Sequence, residues 1–188
     1  ELVRRHQVLV VTINYRLGPM GWFTHPAIQE LQSGIDKTSN FGTLDIIEAL
    51  KWTQQNIQNF GGDPKNITIF GESAGGHNVL SLLASPLSDG LFQKAISQSG
   101  YITSFTKEEA LGISQDDSVI NPLGTDPILS KYDLIGYGGI KQLYEKDPVK
   151  YADEYQRYLR SIDGKNLLEI YQEVAKDTFN QMPLLTRD

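Results

Sequence analysis

Residues Gly71-Glu72-Ser73-Ala74-Gly75 form a G-x-S-x-G pentapeptide. On a sharp strand-to-helix turn, this pattern raises a serine above the edge of a sheet as an exposed nucleophile for acyl transfer. Gly71 and Gly75, two residues to either side, are expected to let neighbouring backbone pass without Cβ clashes. The turn also places the Ala74 N–H, at the positive end of a helix dipole, where the oxyanion of a tetrahedral intermediate would form. Three fixed positions recur by chance in roughly one chain in twenty of this length, so the context decides. Apolar ITIF precedes the motif and an apolar run follows it, as a nucleophile elbow requires. The blander reading is a glycine-rich strand-to-helix turn in which Ser73 only caps the helix.

A serine nucleophile needs a general base, an acid to orient it and further oxyanion donors. The 188 residues hold three histidines, His6, His25 and His77, and none follows the helix after the elbow. His77 lies one turn down that helix and reads as a helix residue with a satisfied ring. His25, just before Pro26, reads as surface loop.

The elements that must position Ser73 are legible in the apolar pattern. Val8 to Ile13 (VLVVTI) is a continuous β-branched run suited to a strand buried on both faces of a parallel sheet, ending in a Gly- and Pro-rich turn over Asn14 to Gly21. From Thr43 to Phe60 apolar residues recur at helical spacing, and Gly61, Gly62, Asp63 and Pro64 stop the helix. Ile67 to Phe70 predicts a short strand, Ala74 to Ala84 a helix closed by Ser85 and Pro86, and Lys94 to Gln98 a third strand. This alternation implies an α/β fold with a mostly parallel sheet flanked by helices. Later helices are expected at about Ile140 to Glu145, Val149 to Ser161 and Lys165 to Phe179.

Composition divides the chain. Residues 1–100 carry 8 acidic and 7 basic residues and 11 of the 17 glycines, against 15 acidic and 10 basic residues in 101–188. We expect a sheet core with the elbow in 1–100, a helical, acidic region in 101–188, and an insertion over 114–139, where Asp, Ser, Pro and Gly cluster.

Several classes fall away. With no Cys there is no disulfide, thiolate metal site or cysteine nucleophile. Net charge −6 with dispersed basic residues gives no stripe for phosphates, so no nucleic acid partner is expected. No run approaches the ~18 apolar residues of a membrane span, and the first residues show no signal-peptide cleavage pattern. Asp116-Asp117 lacks the spaced oxygen ligands of a calcium loop, and no metal or cofactor is implied. Asn66-Ile67-Thr68 is a glycosylation sequon that opens an expected strand. Tyr151, Tyr155 and Tyr158, with Leu159, have helical spacing and read as packing against a sheet or lid, or as lining a pocket.

Three ordered stretches, TINYRLGPMGWF (Thr12 to Phe23), NFGTLDIIEALKWTQQNIQNFGGDPKNITIFGESAGG (Asn40 to Gly76) and SPLSDGLFQKAISQSG (Ser85 to Gly100), resemble the type B carboxylesterases, the cholinesterase-like branch of the α/β-hydrolases. Residues 101–188 match loosely, in LRSIDGKNLLEIYQ and in the closing MPLLTRD, which resembles the segment leading to the family's acidic triad member. The resemblance implies Ser73 as acylated nucleophile and the Ala74 N–H as one oxyanion donor, acting on a small carboxylic ester. It implies Glu72 as a buried acid near the active site, although a residue chosen only for turn geometry is the alternative. Arg16 and Asp45 resemble a structural ion pair tying the NYRLG turn to the next helix. The family's HGGG-type oxyanion loop lies upstream of its VLVVTI-like strand, and its triad runs Ser, acid, His. The expectation is therefore a portion of an α/β-hydrolase lacking that loop, the acid and the His, and inactive by itself. An esterase-like adhesion or binding domain without turnover is the competing reading, one usually marked by loss of the elbow serine.

Overall fold

The computed structural model describes residues 1–114, 118–133 and 139–176, which divide into two units: residues 1–16 with 42–103, and residues 17–41 with 104 onward. Residues 17–41 thus pack with the later part of the chain.

In the first unit, β1 (Thr68–Glu72) pairs in parallel with β2 (Lys94–Gln98), in a register running from Thr68 opposite Lys94 to Glu72 opposite Gln98. The elbow helix (Ala74–Ala84) connects them and packs on both. The preceding helix spans Phe41–Asn56 and tightens into a 3₁₀ turn over Ile57–Phe60, ended by Gly61 in the left-handed region. Its apolar stripe, Ile46, Ile47 and Leu50, meets Ile69 of β1, Val79 and Leu82 of the elbow helix, and Leu91. Each such side chain, fully buried, contributes ~1.5–3 kcal/mol. Alternation along β1 sends Ile69 into this core and leaves Phe70 exposed on the other face.

Val8–Ile13, expected as a strand, forms none. Leu9 to Ile13 and Ile67 to Phe70 both line an apolar cleft of about 410 Å³. The two runs share that cleft, and among the described residues no ladder joins them. β-branched residues favour an extended chain, but a strand also needs a hydrogen-bonded neighbour.

The second unit is helical. Leu123, Ile128 and Tyr132 pack with Leu167, Ile170 and Tyr171, and Ala27, Ile28 and Leu129 with Tyr155 and Leu159. The three late helices are Gly139–Lys146, Pro148–Ser161 and Gly164–Ala175. The reach of the last to Phe179, and the MPLLTRD segment, lie outside the described residues. Within the stretch read as an insertion, Thr125–Asp133 is a helix, built on the ILS run that the surrounding Asp, Pro and Gly obscure.

His25, expected on the surface, is 4 % exposed. Its Nδ1 accepts the Ala27 N–H (3.1 Å), capping the Pro26–Gln29 helix. Its ring meets Tyr155 edge-on, with centroids 5.2 Å apart, and lies near Tyr144. Proline at the first helical position makes the preceding residue a cap, and the Tyr144 and Tyr155 rings enclose the imidazole. Burial, with the Lys141 charge adding to it, holds the ring neutral by lowering its pKa to about 3.

Candidate active site

Ser73 joins β1 to the elbow helix with φ 52° and ψ −113°. Outside glycine such a conformation costs of order 1–3 kcal/mol and persists only where neighbours impose it. Here they do. The Ser73 N–H donates to the Gln98 carbonyl (2.9 Å), continuing the parallel ladder one step past Glu72, and the Ser73 carbonyl accepts the His77 N–H (2.9 Å). The residue is held at both ends of its own peptide unit while the side chain is exposed. Ala74, first in the helix, has an N–H with no intrahelical acceptor, directed out of the positive helix end.

The two motif glycines are not equivalent. A Cβ on Gly71 would lie 2.4 Å from the carbonyl carbon and oxygen of Gly75, so residue 71 must be glycine for the turn to close. A Cβ on Gly75 would meet nothing within 4 Å among the described residues, contrary to the steric need expected of it. Glu72 is exposed, so these residues do not supply the burial expected of it.

Arg16 and Asp45 lie together. Arg16 Nε and Nη2 each donate to one Asp45 carboxylate oxygen at 2.8 Å, and the Arg16 N–H donates at 2.9 Å. These hydrogen bonds from Arg16 hold the Asp45 carboxyl below its ordinary pKa and raise that of the guanidinium.

His77 is 2 % exposed, with its ring edge-on to Tyr101 at 4.3 Å between centroids. Its Nδ1 is buried without a hydrogen-bond partner among the described residues, so the ring is not fully satisfied as expected, and desolvation lowers its pKa. Its ring is enclosed, whereas the Ser73 side chain is in solvent. His6 ends the exposed Leu2–His6 helix. Among the described residues no cluster of three or more His, Asp or Glu is placed to hold a metal ion.

One part of the site was not singled out from sequence. The end of β2 and the turn after it, Ser97 to Gly100, are built against the first turn of the elbow helix. Ser97 Oγ donates to the Gly76 carbonyl (3.1 Å), and a Cβ on Gly100 would lie 2.6 Å from the Gly76 carbonyl carbon. Ser99, like Ser73, has positive φ (50°). The available signal was a second serine-glycine turn at the carboxyl end of the neighbouring strand.

Residues 1–119 match the model of the carboxylesterase family. Para-nitrobenzyl esterase of Bacillus subtilis (strain 168) is 39 % identical over 180 residues, covering 94 % of this chain and 32 % of that protein. Human cocaine esterase is 52 % identical over 101 residues, covering 53 % of this chain and 16 % of that protein. Among solved structures, a Geobacillus stearothermophilus carboxylesterase superposes with a TM-score of 0.67 at 32 % identity, over 93 % of this chain and 31 % of the other. A thermophilic para-nitrobenzyl esterase gives 0.64 at 30 % identity, over 93 % of this chain and 30 % of the other. The fold is that of the α/β-hydrolase esterases, and the chain belongs to the carboxylesterase family. It spans about a third of the length of the para-nitrobenzyl esterase.

Proposed function

We propose that this chain is the nucleophile-bearing portion of a serine carboxylesterase, with Ser73 as the residue acylated. The observation that carries the reading is the conformation of Ser73: exposed, with φ 52° between strand and helix, one residue before an outward-directed Ala74 N–H. Ser73 Oγ attacks the ester carbonyl carbon, and its proton passes to a histidine from outside these 188 residues. The Ala74 N–H donates to the developing oxyanion, with further donors also from outside. Collapse breaks the bond to the alcohol oxygen, which leaves with that proton. Water, deprotonated by the same base, attacks the acyl carbon; the acid departs and Ser73 regains its hydrogen.

Family membership supports ester hydrolysis, and the Bacillus and human relatives are named as esterases, of para-nitrobenzyl esters and of cocaine. Short aryl and alkyl carboxylic esters are the substrate class we assign. The intact Ser73 weighs against a binding domain that has given up turnover.

The test compares the 188-residue chain with the longer protein that would contain it, using p-nitrophenyl acetate. We expect turnover in the longer protein, none above background in the short chain, and a loss of ~10⁴-fold or more in kcat with Ser73→Ala. A longer protein whose folded Ser73→Ala variant keeps its turnover would refute the assignment.

A further inference from the structure

We infer that the Ser97 hydroxyl is a positioning residue for the nucleophile, an inference that rests on the reading of Ser73 above. Two hydrogen bonds among the described residues join the elbow to β2. One is the backbone bond from the Ser73 N–H to the Gln98 carbonyl at 2.9 Å. The other is the hydrogen bond from Ser97 Oγ to the Gly76 carbonyl at 3.1 Å, which holds the first helical turn. Between them lies Ala74, whose N–H direction follows from where that turn sits.

Ser97 belongs to β2, yet its hydroxyl reaches the elbow helix because both backbones at that point lack side chains. A Cβ on Gly100 would lie 2.2 Å from Ser97 Oγ and 2.6 Å from the Gly76 carbonyl carbon, and one on Gly76 would lie 2.7 Å from the Gln98 carbonyl. Gly100 leaves the space that the hydroxyl occupies. Inside the helix, the Gly76 carbonyl can also accept the N–H four residues on. The Ser97 bond is therefore an added one, aimed at placement more than at helix formation. Because a strained serine returns to an ordinary conformation wherever its surroundings slacken, loss of the Ser97 bond would let Ser73 and Ala74 drift from the attack geometry. Displacements of ~1 Å cost up to about a hundredfold in rate.

Ser97→Thr keeps the hydroxyl and Ser97→Val keeps the same shape without it. Hydrogen exchange on the longer esterase should show the His77 N–H, which bonds Ser73, exchanging faster in Ser97→Val than in Ser97→Thr. In the longer esterase, sites titrated with an organophosphonate should show kcat per site reduced ~10-fold or more in Ser97→Val, with KM within about twofold, and near wild type in Ser97→Thr. Equal exchange in the two variants overturns the inference whatever the catalytic result. Faster exchange with unchanged kcat per site overturns it as well, since Ser97 would then be structural only. A wild-type protein without esterase turnover refutes the reading of Ser73 instead, and the exchange comparison still decides whether Ser97 holds the elbow.

Discussion

The backbone N–H of Ser73 donates to the carbonyl of Gln98 at 2.9 Å, so the last hydrogen bond of a parallel strand pair is made by the residue that leaves the strand. The ladder thereby pins a residue whose φ of 52° its own side chain disfavours. Glycine adopts that conformation at little cost. Ser73→Gly should therefore stabilise the chain by ~1 kcal/mol in urea unfolding while removing the nucleophile. A destabilised Ser73→Gly would mean that the serine is relaxed in its turn.

Gly71→Ala should do the opposite. Its Cβ would be 2.4 Å from Gly75 backbone that cannot rotate away, and overpacking against backbone costs ~1–3 kcal/mol or more. Gly75→Ala, with open space around its Cβ, should cost less than Gly71→Ala. Urea midpoints of the two variants check the order.

The elements were legible where local signals agreed. Apolar periodicity bounded by Ser85 and Pro86 defines the elbow helix, Ala74–Ala84, and KAISQ is β2 over the residues expected, Lys94–Gln98. What sequence alone did not show depends on partners distant in the chain. Val8–Ile13 has the composition of a buried strand but no ladder neighbour among the described residues. His25 is carried inward by Tyr144 and Tyr155, more than a hundred residues later. In the candidate site, Ser73, Ala74 and Gly71 follow from a local motif, whereas the clasp by Ser97, Gln98 and Gly100 arises because two strands adjacent in space end side by side.

The Arg16–Asp45 pair makes three hydrogen bonds, but with Arg16 53 % and Asp45 26 % exposed, water and salt screen it. A double-mutant cycle should give a coupling of ~1 kcal/mol, smaller in high salt. Asp45 has its folded pKa depressed below 3.8, so its contribution is present above that value and is lost as the pH falls through the folded value. Coupling unchanged in acid strong enough to protonate Asp45 in the folded chain would contradict the ionic account.

His25 should confer acid lability. Its folded pKa of about 3 lies below the unfolded 6.5, so between these values the unfolded chain binds the extra proton. The stability associated with neutral His25 is therefore complete above 6.5 and declines as the pH falls, by up to ~1.4 kcal/mol per pH unit, until about 3. His25→Asn retains a capping acceptor without the titration. Unfolding free energies of both proteins from pH 7 to 4 should diverge in slope, and parallel slopes would show that His25 is not the group responsible.

Acylation at Ser73 is tested most directly by the mass of the tryptic peptide Asn66–Lys94 from the esterase-active protein after inactivation by an organophosphonate. The predicted result is one phosphonyl group per inactivated site, located by fragmentation on Ser73 and absent from a folded Ser73→Ala protein that has no turnover. Complete inactivation with the phosphonyl group on another residue, and this peptide unmodified, would contradict it.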